Sequence, residues 1–145
     1  MLRGIHPLLL PDLLHALAIM GHGDEIAIVD ANFPAAIGRR VIEVRGATSP
    51  AVLGAVLTVF PVDTLAVPAV LTMEVVGNAE TVPEPVAEFA AAMSDNGFGD
   101  FEVGHLQREA FYERARSAFA IVRTGELRPY GNVLLVKGVV NRYEP

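Results

Sequence analysis

Cysteine and tryptophan are both absent from the 145 residues. Without cysteine there is no disulfide, no thiolate metal site and no thiol nucleophile, and the chain suits a reducing compartment. Long apolar runs are missing too. A membrane-spanning helix needs about 18 or more continuous apolar residues, and charge, proline or glycine cuts every run here well short of that. Near the N-terminus one basic residue, Arg3, precedes the apolar triplet Leu8 to Leu10, which ends at Pro11 and Asp12. That stretch is too short for a signal peptide, and a cytoplasmic location is expected. Basic clusters are also lacking. With a net charge of -6 and no long Lys/Arg stretch, neither a nucleic acid nor a membrane is expected as partner. No GxGxxG, P-loop or GxSxG occurs, which leaves a dinucleotide, a nucleoside triphosphate or an acyl-serine mechanism without a signal.

What the chain has is apolar surface. Hydrophobic residues make up 52% against 19% charged, and the mean hydropathy is +0.40, more than a soluble monomer of one domain requires. Some of this excess is expected to cover subunit interfaces. The length fits a single domain over 1–145.

Periodicity sets the order of elements. Leu10, Leu13, Leu14, Leu17 and Ala18 recur at helical spacing, with Pro11 in the first turn and Gly21 beyond the end, so a helix is expected over 11–20. Glu25 to Asp30 reads as a buried strand, Phe33 to Ala36 as a loop, and Val41 to Val44 as a second strand. Ser49-Pro50 reads as N-cap and N1 of a helix to about Phe60. A strand over 69–76, a helix over 83–93, a strand from Phe101, a helix over 109–117 and strands over 119–123 and 133–140 complete the pattern. This alternation predicts an α/β fold, a three-layer α/β/α domain with a mostly parallel mixed sheet of about six strands.

Ligands in open α/β sheets bind beyond the carboxyl ends of strands, which is where Asp30 is expected. The nearby Gly21-His22-Gly23 presents an imidazole on a flexible turn, suited to proton transfer near neutral pH, although a surface loop histidine explains it equally well. Asp24 either orients that ring or caps a turn. His6, His15 and His105 show no metal-ligand spacing with His22, and no metal and no cofactor are expected. A second group comprises Arg108 and Tyr130-Gly131-Asn132 at element boundaries. They offer a guanidinium fork, an aromatic face with a hydroxyl, and an amide, which are groups that suit a sugar. The plain alternative for Tyr130 to Asn132 is a turn between two strands. Glu113, Arg114 and Arg116 read as a solvated or intersubunit helix face.

At these same residues the sequence resembles the ribose pyranase and L-fucose mutarotase family. The resemblance rests on Met20-Gly21-His22-Gly23-Asp24-Glu25-Ile26, Asp30-Ala31-Asn32-Phe33-Pro34, Arg108 to Ala115, Thr124-Gly125-Glu126, Tyr130-Gly131-Asn132 and Lys137-Gly138-Val139. Arg108 and Tyr-Gly-Asn match the fucose branch, where the ribose branch has histidine and Tyr-Ala-Asn. The resemblance implies an isomerase in which His22 is catalytic and Asp30, Arg108, Tyr130, Gly131 and Asn132 hold the substrate. The implied substrate is a monosaccharide: L-fucose, or else D-ribose or galactose. It also implies a homo-oligomer, commonly a decamer of two pentamers, with each active site completed by a neighbouring subunit. A non-catalytic sugar-binding module would need the same Asp, Arg and Asn but not His22.

Overall fold

The computed structural model describes residues 1–143. Ten regular elements alternate along them: α1 (Pro11–Ile19), β1 (Glu25–Val29), β2 (Val41–Val44), α2 (Ser49–Leu57), β3 (Val70–Met73), α3 (Glu84–Asp95), β4 (Val103–Leu106), α4 (Arg108–Ser117), β5 (Ala120–Thr124) and β6 (Val133–Val136). The strands form one sheet in the order β2-β5-β1-β6-β3-β4. β1, β2 and β5 pair in parallel, as do β3 and β4, while β6 runs antiparallel between β1 and β3. The mixed, mostly parallel sheet expected from the alternation is therefore present, with one reversed strand at its centre.

Side chains of a strand alternate between faces, and here each face has its own cover. Ile26 and Ile28 of β1 pack with α1, α2 and α3 through Leu13, Leu17, Val52, Leu53, Val56, Phe89 and Met93. Ala27 and Val29 point the other way, toward Phe111 and Ala115 of α4 and toward Ala35. Ala35 lies in a short 3-10 turn, Ala35–Ile37, where a plain loop was expected. Because helices cover both sides, the central strands read as unbroken apolar runs: β3, β6 and most of β1 and β5 are buried at every position.

Some boundaries differ from those read in the sequence. Thr48, not Ser49, caps α2, its Oγ1 accepting the Ala51 N–H at 3.4 Å. Pro50 and Ser49 both lie inside the first turn. β3 and β6 are shorter than the apolar runs containing them. At Val76 and at Val139–Val140 the apolar residues are exposed beyond the strand ends, so those runs reflect surface that is apolar outside the sheet. Arg114 is not part of a merely solvated face: its Nε donates to Glu25 Oε2 at 3.0 Å, tying α4 to the start of β1. No helix of the described residues is long and apolar enough to cross a membrane.

Phe111 is fully buried and meets Phe33 edge-on, ring centroids 5.9 Å apart. Phe111→Ala should lower the unfolding free energy by about 3–5 kcal/mol through lost transfer energy and a residual cavity. Urea denaturation with an unchanged slope checks this.

Candidate functional site

The C-terminal ends of β1 to β5 lie together at one end of the sheet, and the reversed β6 brings its N-terminal end to the same place. Asp30 follows β1 there, and Asn132 precedes β6. Both are buried, at 7% and 2% exposure. Asn132 Oδ1 accepts the Asp30 N–H at 2.9 Å, and Asp30 Oδ1 accepts the Asn32 N–H at 2.9 Å. Burial raises the Asp30 carboxyl above the ordinary aspartate value. Hydrogen bonds from the Asn32 amide, the Asn132 side chain and the Phe33 amide offset part of the rise, and the nearby Glu126 carboxylate adds to it.

Tyr130 reaches this end from the loop between β5 and β6, in the left-handed region at φ 62°. Its hydroxyl oxygen accepts the Val76 N–H at 3.2 Å, which leaves the phenolic proton free to be donated. The next position has to be glycine, because a Cβ on Gly131 would stand 2.6 Å from Glu126 Cγ and 2.8 Å from Ser49 Oγ. Arg108 opens α4 beside the same loop system. It lines an open cleft of about 370 Å³ with Glu74, Val76 and Asn78, its side chain half exposed and its Nε 3.6 Å from Glu109 Oε1. Asp30, Arg108, Tyr130, Gly131 and Asn132 thus share one end of the sheet.

His22 does not. It precedes β1 whereas Asp30 follows it, and the strand between them holds the two roughly 20 Å apart. The sequence suggested that their closeness in the chain made one site, but an extended strand converts closeness in sequence into separation in space. Nor is the His22 turn loose. Gly23 N–H donates to Lys137 O and Lys137 N–H to Asp24 O, both at 2.8 Å. Asp24 caps the turn, its Oδ2 accepting the Gly21 N–H at 2.7 Å. Lys137 Nζ donates to the Leu17 and Met20 carbonyls at 2.8 and 2.6 Å, closing the C-terminus of α1.

The ring of His22 is oriented by Asp63, a residue with no signal in local spacing because it lies 41 positions away. His22 Nε2 stands 3.2 Å from Asp63 Oδ1. Asp63 is buried and also accepts the Leu65 and Ala66 N–H groups at 3.2 and 3.1 Å. Those amides, with His22 adding to them, hold its carboxyl below the ordinary aspartate value. An ionised carboxylate only accepts, so Nε2 carries a proton, and in the neutral ring Nδ1 is the acceptor. Asp63 is brought here by the bridge between Val62 and Lys137. It packs so closely on Gly138 that a Cβ there would lie 2.8 Å from Asp63 Cα. The Lys-Gly pair after β6 therefore builds the histidine end of the molecule. Leu65, Val67, Val139 and Val140 are exposed around it. Among the described residues no three histidine or acidic side chains come together to hold a metal ion.

The sequence and its fold are matched by known proteins. The model of the RbsD / FucU transport protein family matches residues 3–140. Among solved structures, the fucose mutarotase of Streptococcus pneumoniae in complex with L-fucose is 36% identical, with 96% of this chain and 99% of that one covered and a TM-score of 0.88. A putative sugar binding protein, Atu2016, is 36% identical over 97% of each chain, with a TM-score of 0.91. RbsD of Bacillus subtilis complexed with D-ribose is 26% identical over 93% of this chain and 97% of that one, with a TM-score of 0.73. The chain belongs to the RbsD / FucU family, whose members include mutarotases and ribose-binding relatives, and its layered sheet with a reversed central strand is that family's fold.

Proposed function

We propose that this protein interconverts the α and β anomers of L-fucose and that each active site is built from two copies of the chain. The carrying observation is the division of groups between the ends of the sheet. Hydroxyl-binding groups collect at one end, and the proton-transfer pair His22 and Asp63 stands at the other, about 20 Å off. A second copy placed head to tail brings its histidine end to the sugar end of the first. Such contacts close into rings when the rotation permits, and the exposed Leu65, Val67, Val139 and Val140 around His22 supply the apolar surface for them. A decameric homo-oligomer is the form the family resemblance favours. L-fucose is favoured over D-ribose by Arg108, by Tyr-Gly-Asn, and by the greater likeness to the fucose-bound relative. A cytoplasmic location fits the absence of cysteine.

The chemistry asks little of the protein. The anomeric O–H loses a proton, the ring oxygen gains one, and the bond between C1 and the ring oxygen breaks to give the open-chain aldehyde. Rotation about C1–C2 and reversal of the steps yield the other anomer. One positioned acid or base contributes roughly 10² to 10⁴, and orientation adds to it. Nδ1 of His22, freed by the Asp63 contact, takes the proton of the anomeric hydroxyl and returns it. Asp30 and Asn132 fix sugar hydroxyls, Arg108 anchors the far side, and the phenolic proton of Tyr130 is available to the ring oxygen. No step requires a cofactor.

Saturation-transfer proton NMR of L-fucose should show anomeric exchange well above the spontaneous rate. His22→Ala should lose about a hundredfold or more while retaining sugar binding by titration. Wild-type exchange from this variant would remove His22 from the mechanism, and no exchange from the wild-type protein would reduce it to a binding module. Asp63→Asn should fall between the two, because the ring remains but its orientation and tautomer are no longer fixed. The raised Asp30 pKa sets the pH response: as pH falls, Asp30 takes up its proton earlier than an ordinary aspartate. Sugar affinity should therefore decline at a pH above the usual aspartate range, and Asp30→Asn should abolish that acid limb. An acid limb that persists in this variant belongs to another group.

A further inference from the structure

The loop that carries Tyr130 and Asn132 is fastened by one side chain that the proposed chemistry does not use. Arg128 donates from Nε and Nη2 to the two carboxylate oxygens of Glu126, both at 2.9 Å. Its Nη1 and Nη2 donate to Glu88 at 2.6 and 2.9 Å, and Nη1 donates to Glu84 at 3.0 Å. The Arg128 N–H also donates to Glu126 Oε1 at 3.0 Å. One guanidinium therefore joins the β5–β6 loop to the first two turns of α3 by paired hydrogen bonds, a geometry that lysine does not reproduce.

Glu126 is the unusual member. It is only 2% exposed, and a buried carboxylate persists when it is paired and hydrogen-bonded. Its backbone is equally engaged: Glu126 O accepts the Ala31 N–H at 2.8 Å, beside Asp30, and Glu126 N–H donates to Thr124 Oγ1 at 3.2 Å. Gly131 lies against its Cγ. Glu126 thus touches two segments of the sugar end, the one after β1 and the loop before β6.

We infer that Arg128 is a positioning residue for the sugar site, clamping the loop to α3 and neutralising Glu126 so that Tyr130, Asn132 and Asp30 keep their places. This rests on the reading of those three residues as the sugar-holding groups. The charged groups facing Glu126 are Arg128 on its own loop and, across that guanidinium, Glu84 and Glu88 on α3, with Asp30 on the segment after β1. The N-terminal turn of α2, through the Ser49 N–H, adds a partial positive charge. Removing the guanidinium leaves Glu126 buried without its partner next to Asp30, so the two carboxyls between them take up a proton at higher pH than in the wild type.

Three variants separate position from charge: Arg128→Met, Arg128→Lys, and the double variant Glu126→Gln with Arg128→Met. Each is read by the ¹³C titration of the Asp30 and Glu126 carboxyls in the sugar-free protein and by L-fucose exchange at saturating sugar. In R128M the two carboxyls between them should take up a proton at higher pH than in wild type, and exchange should fall about tenfold or more. The double variant should return the Asp30 midpoint to wild type or below while exchange stays low. R128K should keep the midpoint yet lose exchange, because a point charge replaces the fork. A folded R128M with wild-type titration of both carboxyls and wild-type exchange overturns the inference. If R128M fails to fold, the double variant, which buries no unpaired charge, decides: wild-type exchange from it overturns the inference. The titration needs no sugar, so absence of exchange in the wild-type protein would sink the functional reading while the carboxyl midpoints still test the clamp.

Discussion

The antiparallel ladder between β1 and β6 governs everything else in this molecule. Its register, from Glu25 against Val136 to Ile28 against Val133, sets Asn132 beside Asp30 at one end and Lys137-Gly138 beside the His22 turn at the other. A shift by one residue would turn every side chain of β6 to the opposite face. It would mispack β6 against both helix layers and separate Asn132 from the Asp30 amide. Both candidate ends are therefore consequences of one pairing, protected on each face by a helix layer.

Much of this was legible in the sequence because it depends on local chemistry. The periodicity of Leu13 and Leu17, the proline near the start of α2 and the apolar run of β1 each identify an element without knowledge of the partner. Asp30 beyond a strand end and the Tyr-Gly-Asn segment before another could also be named, since polar groups at the ends of rigid elements are suited to ligands. What stayed hidden depends on pairing across the chain. Asp63 is an ordinary aspartate after Pro61-Val62 until the Val62–Lys137 bridge carries it to His22. Arg128 and Glu126 look like solvated loop charges until α3 arrives with Glu84 and Glu88. The separation of His22 from Asp30 was misjudged for a related reason: chain distance says nothing about site distance when the residues between are extended.

Under the proposed two-copy site, the apolar excess of the sequence has a physical role. A chain that splits its reactive groups between opposite ends gains function only by meeting another copy, and the surface that makes the meeting stable must be apolar and must surround those groups. The exposed valines and leucine around His22 satisfy that condition. The polar cleft at Arg108, lined by Glu74 and Asn78, gives the opposite end a different character. Unlike surfaces in contact make a head-to-tail assembly rather than a self-complementary pair. Under the proposed two-copy site, catalysis and assembly draw on the same residues, so dissociation should silence anomer exchange without unfolding the chain.

Co-expression of two inactive chains, one carrying His22→Ala and the other Asp30→Ala, tests this account most directly. In a mixed ring each site takes its histidine end from one copy and its sugar end from the next, so roughly a quarter of sites regain both intact halves when the chains are equally abundant. The account predicts L-fucose exchange near a quarter of the wild-type value from mixed oligomers and almost none from either variant alone. Mixed oligomers as inactive as the single variants would contradict it.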